Sequence, residues 1–149
     1  MRAYALIVAA LFCAALYPSC SSSRPMAHLI INNESGADIP ISLSIARVTE
    51  TAGAITISNT IKPGLQELPA GRFAKGAYSV TASTNNGLVS INKTLSFDAD
   101  RWIIINYMHD DSLSIQKKYG YVDTSLLKKV NGKYTGLDMY IENRRPPSL

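Results

Sequence analysis

Four aliphatic side chains recur at every second position, Ile39, Ile41, Leu43 and Ile45, with Pro40, Ser42, Ser44 and Ala46 between them. A period of two places all four on one face of an extended strand, whereas a helix would scatter them around its axis. Pro40 donates no backbone hydrogen bond, so it belongs at the start of that strand or on a sheet edge. The same alternation returns in Tyr78, Val80 and Ala82, and again in Val89, Ile91, Leu95 and Phe97. Between those two runs stands Asn85-Asn86-Gly87, a strong hairpin marker because Asn and Gly tolerate positive φ. Lys93 interrupts the second run and marks an edge, a bulge or a snorkelling side chain.

The remaining runs are shorter. His28–Asn33 is apolar and ends in the turn cluster Asn33-Glu34-Ser35-Gly36, and Ile55, Ile57 and Asn59 suggest a third strand. Lys62-Pro63-Gly64 is a turn, and Gln66–Gly71 reads as a short strand. Trp102–Tyr107 is apolar on both faces, the mark of a central strand covered on both sides. Leu113 and Ile115 then alternate on a last strand ending near Lys118. Seven short strands at regular spacing, with no helical window, predict an all-β, antiparallel sandwich of Ig-like or transthyretin-like form. Its expected core includes Ile41, Leu43, Tyr78, Val80, Ile91 and Trp102. Residues 119–149 read as an extension packing on or trailing from the domain. Ser125–Val130 there reads as partly helical, Asn131-Gly132 as a turn, and Tyr134–Ile141 as a candidate added strand.

The first 20 residues have a different character. Arg2 is followed by an unbroken apolar run from Ala5 to Leu16, too short for a bilayer span of about 20 residues and closed by Pro18. This is the pattern of a signal peptide over residues 1–19. Leu16-Tyr17-Pro18-Ser19-Cys20 resembles the lipobox of bacterial lipoproteins, in which a small residue precedes the lipidated cysteine. Tyr17 and Pro18 stand where the strict form has an aliphatic and a small residue. The resemblance implies a lipid on Cys20, a polar tether over residues 20–27, and a domain over 28–118. It also implies a cell-envelope location, on the outer membrane facing the periplasm, since no acidic residue precedes Glu34. Cleavage near Ser23 or Ala27, giving a secreted soluble protein, is the competing reading. Cys13 leaves with the leader, so Cys20 stays as a lone thiol that cannot form an internal disulfide.

Leu68-Pro69-Ala70-Gly71 and Gly76-Ala77-Tyr78-Ser79-Val80-Thr81-Ala82 together resemble the "L-P-x-G-x-Y-x-V-x-A" signature of transthyretin-like and carboxypeptidase-regulatory-like domains. In this chain Arg72–Lys75 separates the two pieces. The resemblance implies an inner strand opening at a glycine followed by a tyrosine. It bears on architecture, because such folds host many functions.

Composition narrows the function classes. Of 15 basic and 11 acidic residues, the leader removes Arg2, leaving 14 − 11 = +3. No basic face is patterned along the strands, so nucleic acid is not an expected partner. No phosphate loop, C-x-x-C or G-x-S-x-G occurs, and no catalytic residue or cofactor is expected. His109-Asp110-Asp111 with Asp98 and Asp100 gathers metal-ligand types, but one strand separates the two groups, so no metal site is expected. The leading expectation is a non-catalytic binding or accessory module of an envelope assembly, with the membrane as partner through its lipid. The second is a carbohydrate- or small-ligand-binding lipoprotein. Its candidate contacts are Tyr107, Tyr119 and Tyr121, in a second half where Tyr and Lys interleave, and its partner would be a glycan or a protein. A metal-dependent enzyme around His109 is the remote third. Asn33-Glu34-Ser35 and Asn92-Lys93-Thr94 match glycosylation acceptors and read as accidental.

Overall fold

The computed structural model describes residues 24–49, 53–84, 87–121 and 123–147. The expected leader over residues 1–19, Cys20 and the chain as far as Ser23 lie outside the described residues, as do Asn85 and Asn86 of the expected hairpin.

Nine strands among the described residues form two facing sheets, so the fold is an all-β sandwich. The five-stranded sheet runs β4 (Gly64–Arg72), β1 (Met26–Asn33), β7 (Arg101–Asp110), β9 (Lys133–Glu142), β8 (Lys128–Val130). The four-stranded sheet runs β3 (Ile55–Ile61), β2 (Ile39–Arg47), β5 (Gly76–Thr84), β6 (Val89–Phe97). All pairs are antiparallel except β1 with β7, which lie parallel.

The alternating runs supply the core. Ile39, Ile41, Leu43 and Ile45 of β2 face Leu29, Ile31, Ile103 and Ile105 of the other sheet, all nearly inaccessible to water. Phe73, Tyr78 and Phe97 close one end, with Phe73 stacked on Phe97 at 4.6 Å and Tyr78 edge-on to both. Among the described residues, every member of this cluster lies between Ala27 and Met139. Pro40 falls at the second position of β2, where the strand begins.

Several expectations need correction. Residues 112–119 are not a strand but an α-helix, α1 (Ser112–Tyr119). Leu113 and Ile115 give only one period of alternation, and the Asp111 carboxylate overrides it by accepting hydrogen bonds from the Leu113 and Ser114 amides at 2.9 Å each. Gly120, at φ 77°, ends the helix. Trp102 is only partly buried, because the parity of β7 turns Ile103 and Ile105 inward and Trp102 outward. Ile91 is likewise only partly buried, packed against the core from edge strand β6.

The C-terminal residues are part of the sandwich. β8 and β9 form a hairpin around Asn131 (φ 50°) and Gly132 (φ 82°), the paired positive φ of a two-residue turn. β9 then pairs along β7, and Met139 is fully buried. Beyond β9, Arg145 meets Glu67 on the outer face of β4 at 3.0 Å. On that same outer face Ile104 of β7 and Ile30 of β1 are also buried. β1 itself begins at Met26, so chain order starts earlier than the tether reading allows.

Candidate functional site

β7 sets the geometry of both candidate clusters. Asp98 and Asp100 precede its first residue and His109 and Asp110 close it, so the two groups occupy opposite ends of the sandwich. Each has a structural partner. Asp98 pairs with Arg101, and Asp100 accepts a hydrogen bond from the Met26 amide at 2.8 Å. His109 Nδ1 lies 2.6 Å from Thr135 Oγ1, and its ring is parallel to that of Tyr107. Asp111 caps α1. Among the described residues, no three His, Cys, Asp or Glu side chains converge as a metal site.

The tyrosines separate into two kinds. Tyr107 is 3% exposed and belongs to the core, which removes it from any contact surface. Its neighbours Ile103 and Ile105 share its face of β7, and a run apolar on both sides hides which parity points inward. Tyr119, the last residue of α1, and Tyr121 flank Gly120 and are 42% and 90% exposed. Lys118 lies over the Tyr119 ring at 5.3 Å, and its ammonium also meets Glu34 at 2.6 Å. Similar contacts join Lys129 to Tyr134 and Lys93 to Tyr140, both at 5.7 Å. The Asp138 carboxylate, hydrogen-bonded to Tyr140, pushes that phenol above its ordinary range.

A cleft of about 230 Å³ lies beside α1, lined by Ile115, Gln116, Tyr121, Asp123 and Thr124. Ligand pockets generally start near ~300 Å³. A second cleft of about 470 Å³ opens at the opposite end, between Pro25, Lys75, Asp98, Asp100, Trp102 and Asn143. Trp102 is stacked on His28 at 4.5 Å, and its indole N–H is buried without an acceptor among the described residues. Neither the pair nor the cleft is visible in the sequence, because the parallel register of β1 and β7 that joins them is a long-range pairing.

The hydrogen bonds that anchor α1 also lower the Asp111 pKa, the Ser114 amide and hydroxyl contributing most. A carboxylate whose folded pKa is lowered stabilises the fold above its unfolded value and loses that contribution as pH falls through the lowered one. Hydrogen-exchange protection of the Leu113 and Ser114 amides is therefore expected to persist at the ordinary carboxylate value of 3.8 and to vanish only below it. Asp111→Ala is expected to remove that protection at every pH. NMR across the acid range checks both.

No family model matches this chain, and neither the curated proteins nor the solved structures contain a match.

Proposed function

We propose that this chain is an envelope lipoprotein, anchored through Cys20, whose sandwich is a non-catalytic binding or accessory module in a cell-envelope assembly. The observation that carries this reading is how soon the fold begins. Pro25 is buried and its carbonyl accepts a hydrogen bond from the Phe73 amide at 2.9 Å. The Arg24 carbonyl accepts one from Arg72, and the Met26 amide is held by Asp100. Only Ser21–Ser23 stand between Cys20 and this fixed edge. At about 3.5 Å per residue, that tether keeps the sandwich end within roughly 14 Å of its anchor.

The side chains that could support chemistry, Asp98, Asp100, His109 and Asp111, each serve the fold, which favours a binding role over catalysis. Tyr78, on an inner strand two residues after Gly76 and 7% exposed, supports the likeness to transthyretin-like domains. The location proposed is the outer membrane, facing the periplasm. A glycan or small-ligand role is the second reading, favoured by the exposure of Tyr119 and Tyr121 beside the α1 cleft.

Cys20→Ala is expected to abolish incorporation of a labelled fatty acid and to move the protein from the membrane fraction to the soluble one. Unchanged membrane association in that variant would overturn the anchoring.

A further inference from the structure

The two sheets present four edges, and three of them are blocked. β4 carries Pro69, Glu67 and a register break between its pairings with Ala27 and His28. β6 turns Lys93 toward the inner side of its sheet, opposite buried Val80. β8 is three residues long. Short strands, prolines, bulges and inward lysines are the devices that keep sheet edges from pairing with other chains.

β3 has none of them. Its seven residues, Ile55-Thr56-Ile57-Ser58-Asn59-Thr60-Ile61, contain no charge and no proline, and they pair with β2 in an unbroken register. Among the described residues, no strand of either sheet lies on the opposite side of β3. Ile55 is 43% exposed and Ile57 is half-buried, although both share the inward face with Ile61. An extended chain added there would meet an edge that no described strand occupies, with partly uncovered aliphatic side chains.

The order of residues in β3 points to the occupant. Read in either direction from Ser58, the strand is nearly the same: Ile55 mirrors Ile61, Thr56 mirrors Thr60, and only Ile57 and Asn59 differ. Two antiparallel copies centred on Ser58 would set Thr56 against Thr60 and Ser58 against Ser58 on the outer face. Ile55 would meet Ile61, and Ile57 would meet Asn59, on the inner one. Hydroxyl and aliphatic cross-strand pairs of this kind are favourable, and an uncharged strand meets its copy without like-charge repulsion. The contact is isologous, so it closes at two subunits and cannot extend into a fibre. We propose that the protein forms a two-fold dimer through antiparallel pairing of β3 with β3, joining two four-stranded sheets into one. The inference rests on the sheet edge and stands independently of the lipid anchor.

Ser58 lies on the axis, exposed on the outer face, so a charge there meets its own copy while leaving the core untouched. The chain from Ser21 onward is expected to sediment as a dimer at about 100 µM, a concentration that populates even modest affinities. Ser58→Lys and Ser58→Glu, each alone, are expected to weaken the dimer at least about tenfold, since like charges lie directly opposite. Circular dichroism of both variants is expected to keep the parent spectrum. Mixing them in equal amounts is expected to restore a dimer, now with Lys opposite Glu. A monomer across the concentration range, including one that takes up a different chain at β3, would overturn the proposal. So would a dimer that both single variants retain.

Discussion

Ile41→Asp is expected to leave the domain unfolded at neutral pH, while Ser42→Asp one residue away leaves it intact. Ile41 is 3% exposed, on a strand with neighbours on both sides, opposite Asn59 of β3 and Thr84 of β5. A carboxylate there would be cut off from water with no cation facing it from the surrounding core of Leu29, Ile31, Leu43 and Ile105. Removing the aliphatic side chain and burying an unpaired charge together cost at least ~5 kcal/mol. Small domains hold about 5–15 kcal/mol in total, so little or nothing remains. Ser42 points to the outer face, where its hydroxyl meets Ser58 at 3.0 Å in solvent. Its replacement is expected to change stability by no more than about 0.5 kcal/mol. Urea titration of the two variants reads the difference, and equal effects would mean that the facing of β2 is reversed.

The facing of β2 was legible because four alternating aliphatics admit one register. The same holds for β5 and β6, whose runs read directly onto Tyr78, Val80 and Phe97 in the core. Legibility failed where two signals overlapped. Trp102–Tyr107 is apolar at every position but Asn106, so periodicity could not say that Tyr107 is interior and Trp102 outward. At α1 the apolar spacing of Leu113 and Ile115 favoured a strand, yet Asp111 ahead of them, Lys117 and Lys118 in the last turn and Gly120 beyond form a helix signature. In β9 the inward series Thr135, Leu137, Met139 and Ile141 does alternate, but Gly136, Asp138 and Tyr140 between them gave it a mixed look. A Cβ at Gly136 would lie 2.7 Å from Leu127 Cδ2, so the end of that side chain would have to move to admit one. The ion pair of Arg145 with Glu67 joins residues 78 positions apart, and no local pattern announces it.

In the sequence Asn33 marks the end of a strand and opens an accidental glycosylation acceptor; the fold makes it a buried clamp, 1% exposed. Its amide nitrogen donates to the carbonyls of Ala37 at 2.9 Å and Ile61 at 3.0 Å. Its amide oxygen accepts from the Ser35 amide and hydroxyl at 3.0 and 2.7 Å. One side chain therefore fixes the turn after β1 and joins it to the end of β3, linking the two sheets. Asn33→Ala would strand the Ile61 carbonyl and the Ser35 amide in a site closed to water. Leaving buried polar groups unpaired costs about 1–3 kcal/mol apiece, so a loss of roughly 2–4 kcal/mol is expected. Ser35→Ala, which removes only one hydroxyl from the network, is expected to lose about 1 kcal/mol. Asn33→Asp tests the direction of the bonds. It keeps the acceptor for Ser35 but turns a second oxygen toward two carbonyls, so its ionised form is disfavoured in the fold and its pKa rises above the ordinary carboxylate value. A raised carboxyl pKa contributes most stability at low pH and loses it as pH climbs from the unfolded value through the folded one. Asn33→Asp is therefore expected to be weaker than Asn33→Ala at neutral pH and to regain stability on acidification, measured by urea midpoints at a series of pH values. A variant indifferent to pH would show that the Asn33 amide nitrogen does not face the carbonyls of Ala37 and Ile61.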